Sequence, residues 1–329
     1  MWSPTNTPVV FPAGTDGSAG TSGTYVLFGD WPQTVKAADV TIDESIVYDD
    51  SDYSGFTYYM GSDEAWYVKC EENHYSTSPT TYSDGQTIGS SEQYFKVEPI
   101  KWRVLDESFD NDDDSTTPGK WFLHAENALH SNIKYYGSTA VRVLGGNNIN
   151  ANSYEYSNVR AWLNGINNQF VTDGGEANSF TIDHTGNGFL QKAFTGTAQS
   201  KIAITKVDNS AASTQDEGLN ITQATIGVST HKTEDKVFLL SEKEATRTAY
   251  GWGNHQSETK RVRKATDWAL ANYAHQSTSE GQGSEWWLRS PAGSSGAGLR
   301  YVSVNGSTSN TYQVNQTLSV VPAICIDVP

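Results

Sequence analysis

The side chains able to do chemistry are plentiful here but poorly spaced for it. Seven histidines, at positions 74, 124, 130, 184, 231, 255 and 275, form no HExxH or HxH string and none adjoins a cysteine. A hydrolytic metal site therefore has no ligand set to build on. There is no GxSxG nucleophile elbow and no GxxxxGK[ST] phosphate loop, and Gly251-Trp252-Gly253 reads as a turn. The alternating acids Asp110, Asp112 and Asp114 imitate the start of a calcium loop. The sixth position is Ser115 and the twelfth Trp121, where that loop needs Gly and Glu, so the stretch reads as a solvated turn. Carboxylates are numerous enough to form chance pairs, and sequence spacing singles out no glycosidase couple. Cys70 and Cys325 are too few for a zinc site or a disulfide scaffold and read as two buried thiols. The expectation is a chain with no catalytic residue, no metal and no cofactor.

Recognition is the chemistry left. Trp286 and Trp287 are adjacent in a strand-like stretch, so alternation sends one indole to each face. One can fill the core while the other floors the loops that follow, although both can equally be packed. Small, polar and glycine residues come next, with an Asn305-Gly306 hairpin signal in their midst. A very apolar run, Ser319–Ile326, closes the chain. Loops between two strong strands are a usual seat of binding.

The elements that must position these residues follow from composition and period. With 22 basic and 38 acidic residues, the 329-residue chain carries a formal charge of −16, which repels nucleic-acid backbones and anionic membranes. Hydrophobic content is only 36 %, yet 12 % of residues are aromatic, so the chain folds around aromatics rather than staying disordered. No apolar run approaches the ~20 residues of a membrane-spanning helix. Residues 1–23 read as a flexible leader of which little should pack. From residue 24 the chain reads as one domain, opening with a β-rich extension over residues 24–92. Strand texture covers Thr24–Phe28, Thr34–Ile42, Trp66–Lys69 and, most strongly, Tyr94–Leu105 with a bulge at Pro99. Lys120–Ala125 should pair with that last strand as a hairpin. Helices are few. Val159, Trp162, Leu163, Ile166 and Phe170 make one stripe behind a Ser157 cap, predicting a helix to Phe170. Phe189–Phe194 allows a short one, Ser241 with Glu244 forms a capping box after the strand Val237–Leu240, and a third stripe runs Val262, Ala265, Trp268, Ala269, Tyr273. Residues 208–232 read as an insertion loop. The class is α+β with long inserts.

The ordered strings FGDWPQT (28–34), GSDEAWYVK (61–69), YFKVEPIKWRVL (94–105), NVRAWLNG (158–165), DKVFLLSEKEA (235–245), EWWLRSP (285–291) and VVPAICI (320–326) together resemble a bacterial surface-protein family known chiefly as a domain of unknown function. Its members include variable proteins of diversity-generating retroelements, such as those of treponemes. The resemblance implies a C-type lectin fold of the formylglycine-generating-enzyme subtype, with residues 320–326 as the terminal core strand and a variable region over about 285–326. It also implies a bacterial cell-surface location, outer-membrane-anchored by a lipid on an N-terminal segment ahead of this chain. The partner would be an unknown macromolecular ligand, taken to be a protein, with no nucleic acid involved.

Such elements mutate template adenines, and randomising the first two bases of Asn codons cannot yield Lys, Glu, Gln, Met or Trp. Every residue of Ser290–Tyr312 belongs to the reachable set, and the run is bounded by Trp286-Trp287 and Gln313. The expected variable, ligand-binding positions are Ser294, Ser295, Ala297, Leu299, Arg300, Tyr301, Ser303, Asn305, Ser307, Ser309, Asn310 and Tyr312, with Trp286 and Trp287 as supporting scaffold. The departures are informative. The enzyme of that subtype needs a redox-active cysteine pair, and only Cys325 lies near the C-terminus. The calcium-dependent lectins need Glu-Pro-Asn or Gln-Pro-Asp, and Glu98-Pro99-Ile100 lacks the third side-chain carbonyl. Two other readings stay open: a carbohydrate-acting enzyme with an acid and base among its carboxylates, and an envelope or adhesin module with an invariant surface.

Overall fold

The computed structural model describes residues 4–11, 24–48, 55–75, 79–109, 119–169, 173, 182–210, 232–292, 296–308 and 311–327. The acidic turn 110–114, Phe170, His231 and most of the 208–232 insertion lie outside them. The strands of the first half are β1 (Val9–Phe11), β2 (Tyr25–Val35), β3 (Ile42–Tyr48), β4 (Tyr58–Gly61), β5 (Trp66–Glu71), β6 (Glu92–Phe109), β7 (Lys120–Ala125) and β8 (His130–Lys134). A small hairpin of β9 (Arg142–Leu144) and β10 (Asn147–Ile149) follows, then β11 (Thr205–Asp208), β12 (Lys232–Asp235) and β13 (Val237–Phe238). The last are β14 (Trp286–Pro291), β15 (Gly298–Val302), β16 (Thr311–Gln313), β17 (Thr317–Val320) and β18 (Ala323–Ile326). Helices are short: α1 (Asn158–Asn164), α2 (Phe189–Ala193), α3 (Gly196–Gln199), α4 (Glu242–Ala245) and α5 (Asp267–Ala271). The fold is mixed α+β, mostly antiparallel sheet.

β6 organises the nine-stranded first sheet. One of its edges carries β2, from Phe95 to Arg103; the other is shared by β5 near Glu92–Lys96 and β7 from Trp102 to Phe109. The N-terminal extension thus lies in the same sheet as the C-terminal strand β18, which pairs with β7. The bulge expected at Pro99 sits on the facing strand. Between Leu27 and Asp30, β2 carries one residue more than β6 does between Lys101 and Pro99. Gly29 takes φ 70° there, and a Cβ would lie 2.3 Å from the Phe194 ring, so only glycine fits. The run Thr34–Ile42 is not one strand: β2 stops at Val35 and the chain turns before β3.

The leader departs from expectation over residues 4–11. Val9–Phe11 pair antiparallel with Leu27–Tyr25. Thr5 donates its backbone N–H and its hydroxyl to the buried Asp30 carboxylate, each at 2.8 Å. A buried carboxylate needs such partners, and polar residues near the terminus provide them.

The second sheet runs β16-β15-β14-β17-β8, with β14 and β17 parallel and the other pairs antiparallel. The closing apolar run was expected as a single strand. Instead β17 belongs to this sheet and β18 to the first, with Val321-Pro322 between them. Proline has no N–H to give a ladder, so the chain changes sheets there.

The core is aromatic. Trp31 meets Phe189 (4.9 Å between ring centroids), Phe56 (5.3 Å) and Trp162 (6.3 Å), and its indole N–H donates to Leu129 O at 2.8 Å. Ser157 Oγ caps α1 by accepting from Arg160 N, as its sequence position suggested. The helix is shorter than its apolar stripe because Gly165, at φ 61°, ends it. Similarly α5 begins at its Thr266 cap and ends before Tyr273, so the third stripe is helical only in its middle. The capping box of Ser241 and Glu244 forms on α4. Trp162→Ala should lower stability by about 3–5 kcal/mol as a core truncation, read as a drop in the urea midpoint. An unchanged midpoint would contradict the packing of α1.

Candidate functional site

Strand register decides which residues of the second sheet share a face. Trp287 stands opposite Tyr301, and Leu299 opposite Tyr312, so these four project to one side. Trp286, opposite Val302, projects to the other side and packs on His124 at 5.2 Å. Burial declines toward the sheet edge. Trp287 and Leu299 are fully buried, Tyr301 is half-buried and Tyr312 is 43 % exposed. The Tyr312 ring lies 6.3 Å from Trp287 and 5.9 Å from Tyr301, so buried indole and outward phenols form one aromatic slope.

Residues remote in sequence complete this face. Asn73 N donates to Ala271 O at 2.7 Å, and Asn73 bridges Asn272, bringing the end of β5 beside the end of α5. Tyr75 then meets Tyr273 at 5.1 Å and His275 at 5.2 Å. Tyr273 holds φ 71°, a left-handed backbone that few non-glycine residues adopt. Glu285, two residues before Trp287 and so in phase with it, pairs with His275 Nδ1 at 3.2 Å. Burial, then Glu285 and Tyr312, push the Tyr301 hydroxyl up to about 12. Burial likewise raises Tyr312, helped by Tyr75, Glu285 and Tyr273. Both phenols therefore stay neutral at physiological pH, keeping a donor and an electron-rich ring.

The sequence-predicted positions divide sharply. Ala297 is half-buried and Asn305 is exposed, joining Tyr301 and Tyr312 as accessible residues. Ser294, Ser295, Ser309 and Asn310 lie outside the described residues. Leu299, Arg300, Ser303 and Ser307 are buried, which removes them from direct ligand contact. Leu299 faces inward beside Trp287. Arg300, expected among the ligand-binding positions, has its Nε 3.5 Å from Glu242 Oε2, on the opposite face of β15. Glu242 Oε1 in turn accepts from Thr308 Oγ1 at 3.1 Å. The Asn305-Gly306 turn is pinned under the loop of residues 252–261. Ser307 Oγ donates to His255 O at 3.1 Å, and a Cβ on Gly306, itself at φ 83°, would lie 2.1 Å from Glu258 O. Most of that turn is framework.

Sequence reasoning missed Tyr75, Tyr273, His275 and Glu285. Only Glu285 carried a local signal, its period-two spacing from Trp287. Tyr273 read as part of a helical stripe, and a bridge across about two hundred positions is invisible in one sequence. Among the described residues, no group of three or more His, Cys, Asp or Glu could hold a metal ion. Cys325 is buried and Cys70 only half-buried; neither is in a disulfide, and burial pushes both thiols up to about 12.

Fold and face together define a mixed α+β protein that presents an aromatic slope at the edge of its smaller sheet. A family model described as a domain of unknown function, DUF6273, matches residues 118–328, well over half of the chain. The protein belongs to that family. No curated protein and no solved structure matches it.

Proposed function

We propose that this protein is a non-catalytic, surface-displayed binding protein on a C-type lectin scaffold of the formylglycine-generating-enzyme subtype, whose C-terminal segment is diversified by a retroelement. The observation carrying the reading is the contrast along β14 to β16. The accessible Ala297, Tyr301, Asn305 and Tyr312 all belong to the set reachable by adenine mutagenesis, while the unreachable Trp286 and Trp287 are wholly buried beside them. A scaffold meant to tolerate change keeps its fixed residues in the core and its variable ones on the rim. Tyrosines offer rigid amphipathic contact, and Ala and Asn leave room for adaptable neighbours, the division of labour found in paratopes. The partner would be a macromolecule, with display through an N-terminal lipid anchor.

Sequencing the DNA for residues 285–326 in many cells of one culture tests this. Substitutions should gather at the codons of Ala297, Tyr301, Asn305 and Tyr312 and spare Trp286, Trp287 and Gly306, with an adenine-rich near-copy and a reverse transcriptase nearby. Identical codons throughout would overturn the diversification claim. At the protein level, Tyr312→Ala should change stability by less than ~0.5 kcal/mol, as exposed sites do. Leu299→Ala should cost ~2–5 kcal/mol as a core truncation. Equal melting shifts for the two would refute the division between rim and frame.

A further inference from the structure

The aromatic face has one carboxylate, Glu285, and no lysine or arginine among the residues that define it. Tyr75, Tyr273, His275, Tyr301 and Tyr312 come from three separate stretches of chain, and Glu285 links them through its pair with His275 and its position beside Tyr301. The Glu285 side chain keeps 25 % of its surface exposed and His275 33 %, so the carboxylate is partly accessible beside the rings. Tyr75 and Tyr273 meet nearly edge-to-face, with planes 78° apart, while Tyr301 and Tyr312 are inclined at 57°. Such mutually tilted rings present faces in different directions. Tyr273 holds its place through a left-handed backbone, a conformation kept only where the surroundings enforce it.

Ring faces are negative, and several of them around a carboxylate form the environment that favours an organic cation over a neutral group of the same shape. The charge of the whole chain, −16, adds attraction of the same sign at long range. We propose that this face binds a lysine or arginine side chain of a protein partner, the cation seated between the tyrosine rings with Glu285 as its counter-ion. This rests on reading the face as a ligand surface and names the chemistry it selects. Tyr301 and Tyr312 would tune the pocket when they vary, while Tyr75, Tyr273, His275 and Glu285, outside the variable strip, would keep its preference for cations.

The test titrates the full chain with a Gly-Ser pentapeptide bearing one central lysine, and with the same peptide Nε-acetylated. The readout is the Tyr312 ring resonances, identified by their loss in Tyr312→Ala. Saturable shifts are expected with the lysine peptide, weakened on the order of tenfold in Glu285→Gln and in Tyr75→Ala, and reduced by added salt. An arginine peptide should behave like the lysine one. Equal binding of the acetylated peptide would reduce the face to a hydrophobic patch and overturn the proposal. So would an unchanged affinity in Glu285→Gln when its melting temperature matches that of the parent. If Glu285→Gln melts early, Tyr75→Ala, which keeps the Tyr312 reporter, decides. Failure here with codons that vary would sink the cation site alone; invariant codons with cation binding intact would sink the diversification reading alone.

Discussion

Glu244→Ala should destabilise the protein by about 3–5 kcal/mol, the cost of removing one partner from a buried ion pair. The Arg289 side chain is 3 % exposed. Its guanidinium donates to Glu244 Oε2 at 2.5 Å and Oε1 at 2.8 Å, and to Leu239 O at 2.6 Å. Burial alone would lower its charge affinity; the Glu244 carboxylate more than reverses this and holds Arg289 above its ordinary value. Without the carboxylate, a cation is stranded on β14, directly next to the frame that carries Trp286 and Trp287. Glu244 also accepts from Ser241 N at 2.7 Å, closing the cap of α4. Glu244→Gln separates the two roles, because an amide can still accept from Ser241 but cannot balance the charge. It should recover only the cap, about 1 kcal/mol. Urea midpoints for the two variants read this directly. Full recovery by Gln would mean the cap, not the ion pair, matters here.

Local signals in the sequence were read well where the physics was local. The Ser157 cap, the Ser241 and Glu244 box, the β7 strand and its hairpin with β6 all depend on residues within a few positions of one another. Errors appeared where an apolar pattern outran its element. Gly165 stops α1 although Ile166 continues the stripe, and Pro322 splits a run of uniform hydrophobicity between two sheets. Hydrophobic period reports burial, whereas glycine and proline set where the backbone can continue, and here the second rule prevailed. The leader shows a different limit: Thr5 reads as linker until the buried Asp30, on a strand far along the chain, supplies a reason to order it.

The binding face was half legible. Composition picked out the strip 290–312, but composition cannot tell Tyr312, on the rim, from Leu299, directly opposite it in register and wholly buried. Nor could charge alone show that Arg300 would turn toward Glu242, since Glu242 lies on a different element brought near by tertiary packing. The long-range half of the face, Tyr75 and Tyr273, exists only because Asn73 bridges Asn272.

Acid should unfold this protein earlier than its carboxylates alone would dictate, because His124, fully buried, and His130, half-buried among aromatic rings, are held as neutral rings. His130 stacks on Trp162 at 5.0 Å, and its Nδ1 accepts the Trp268 indole N–H at 3.2 Å, so that nitrogen carries no proton. Burial, with Lys192 adding, pushes His130 down to about 3. His124 is fully buried, and burial together with Arg263 and Arg103 holds it well below its ordinary value of 6.5. Below pH 6.5 the unfolded chain takes up protons at these positions that the native state refuses, so stability falls with pH. Each histidine contributes about 1.4 kcal/mol per pH unit in that window, hence about 4 kcal/mol for the pair by pH 5. The carboxylates that the fold holds low, Asp43, Glu44, Asp63 and Asp183, start from 3.8 to 4.5 and add their losses mainly below pH 5. The interval from pH 6.5 to 5 therefore belongs chiefly to histidine. His130→Phe keeps an aromatic ring at that place but leaves the Trp268 N–H without its acceptor, which should cost about 1–3 kcal/mol at pH 8. Its slope between pH 6.5 and 5 should nevertheless be shallower than the parent's, since the His130 titration is gone while His124 and His184, which burial also holds low, remain. Urea unfolding at each pH gives both quantities, and a parent stability that stays flat from pH 8 to 5 would show that these rings reach solvent protons without unfolding.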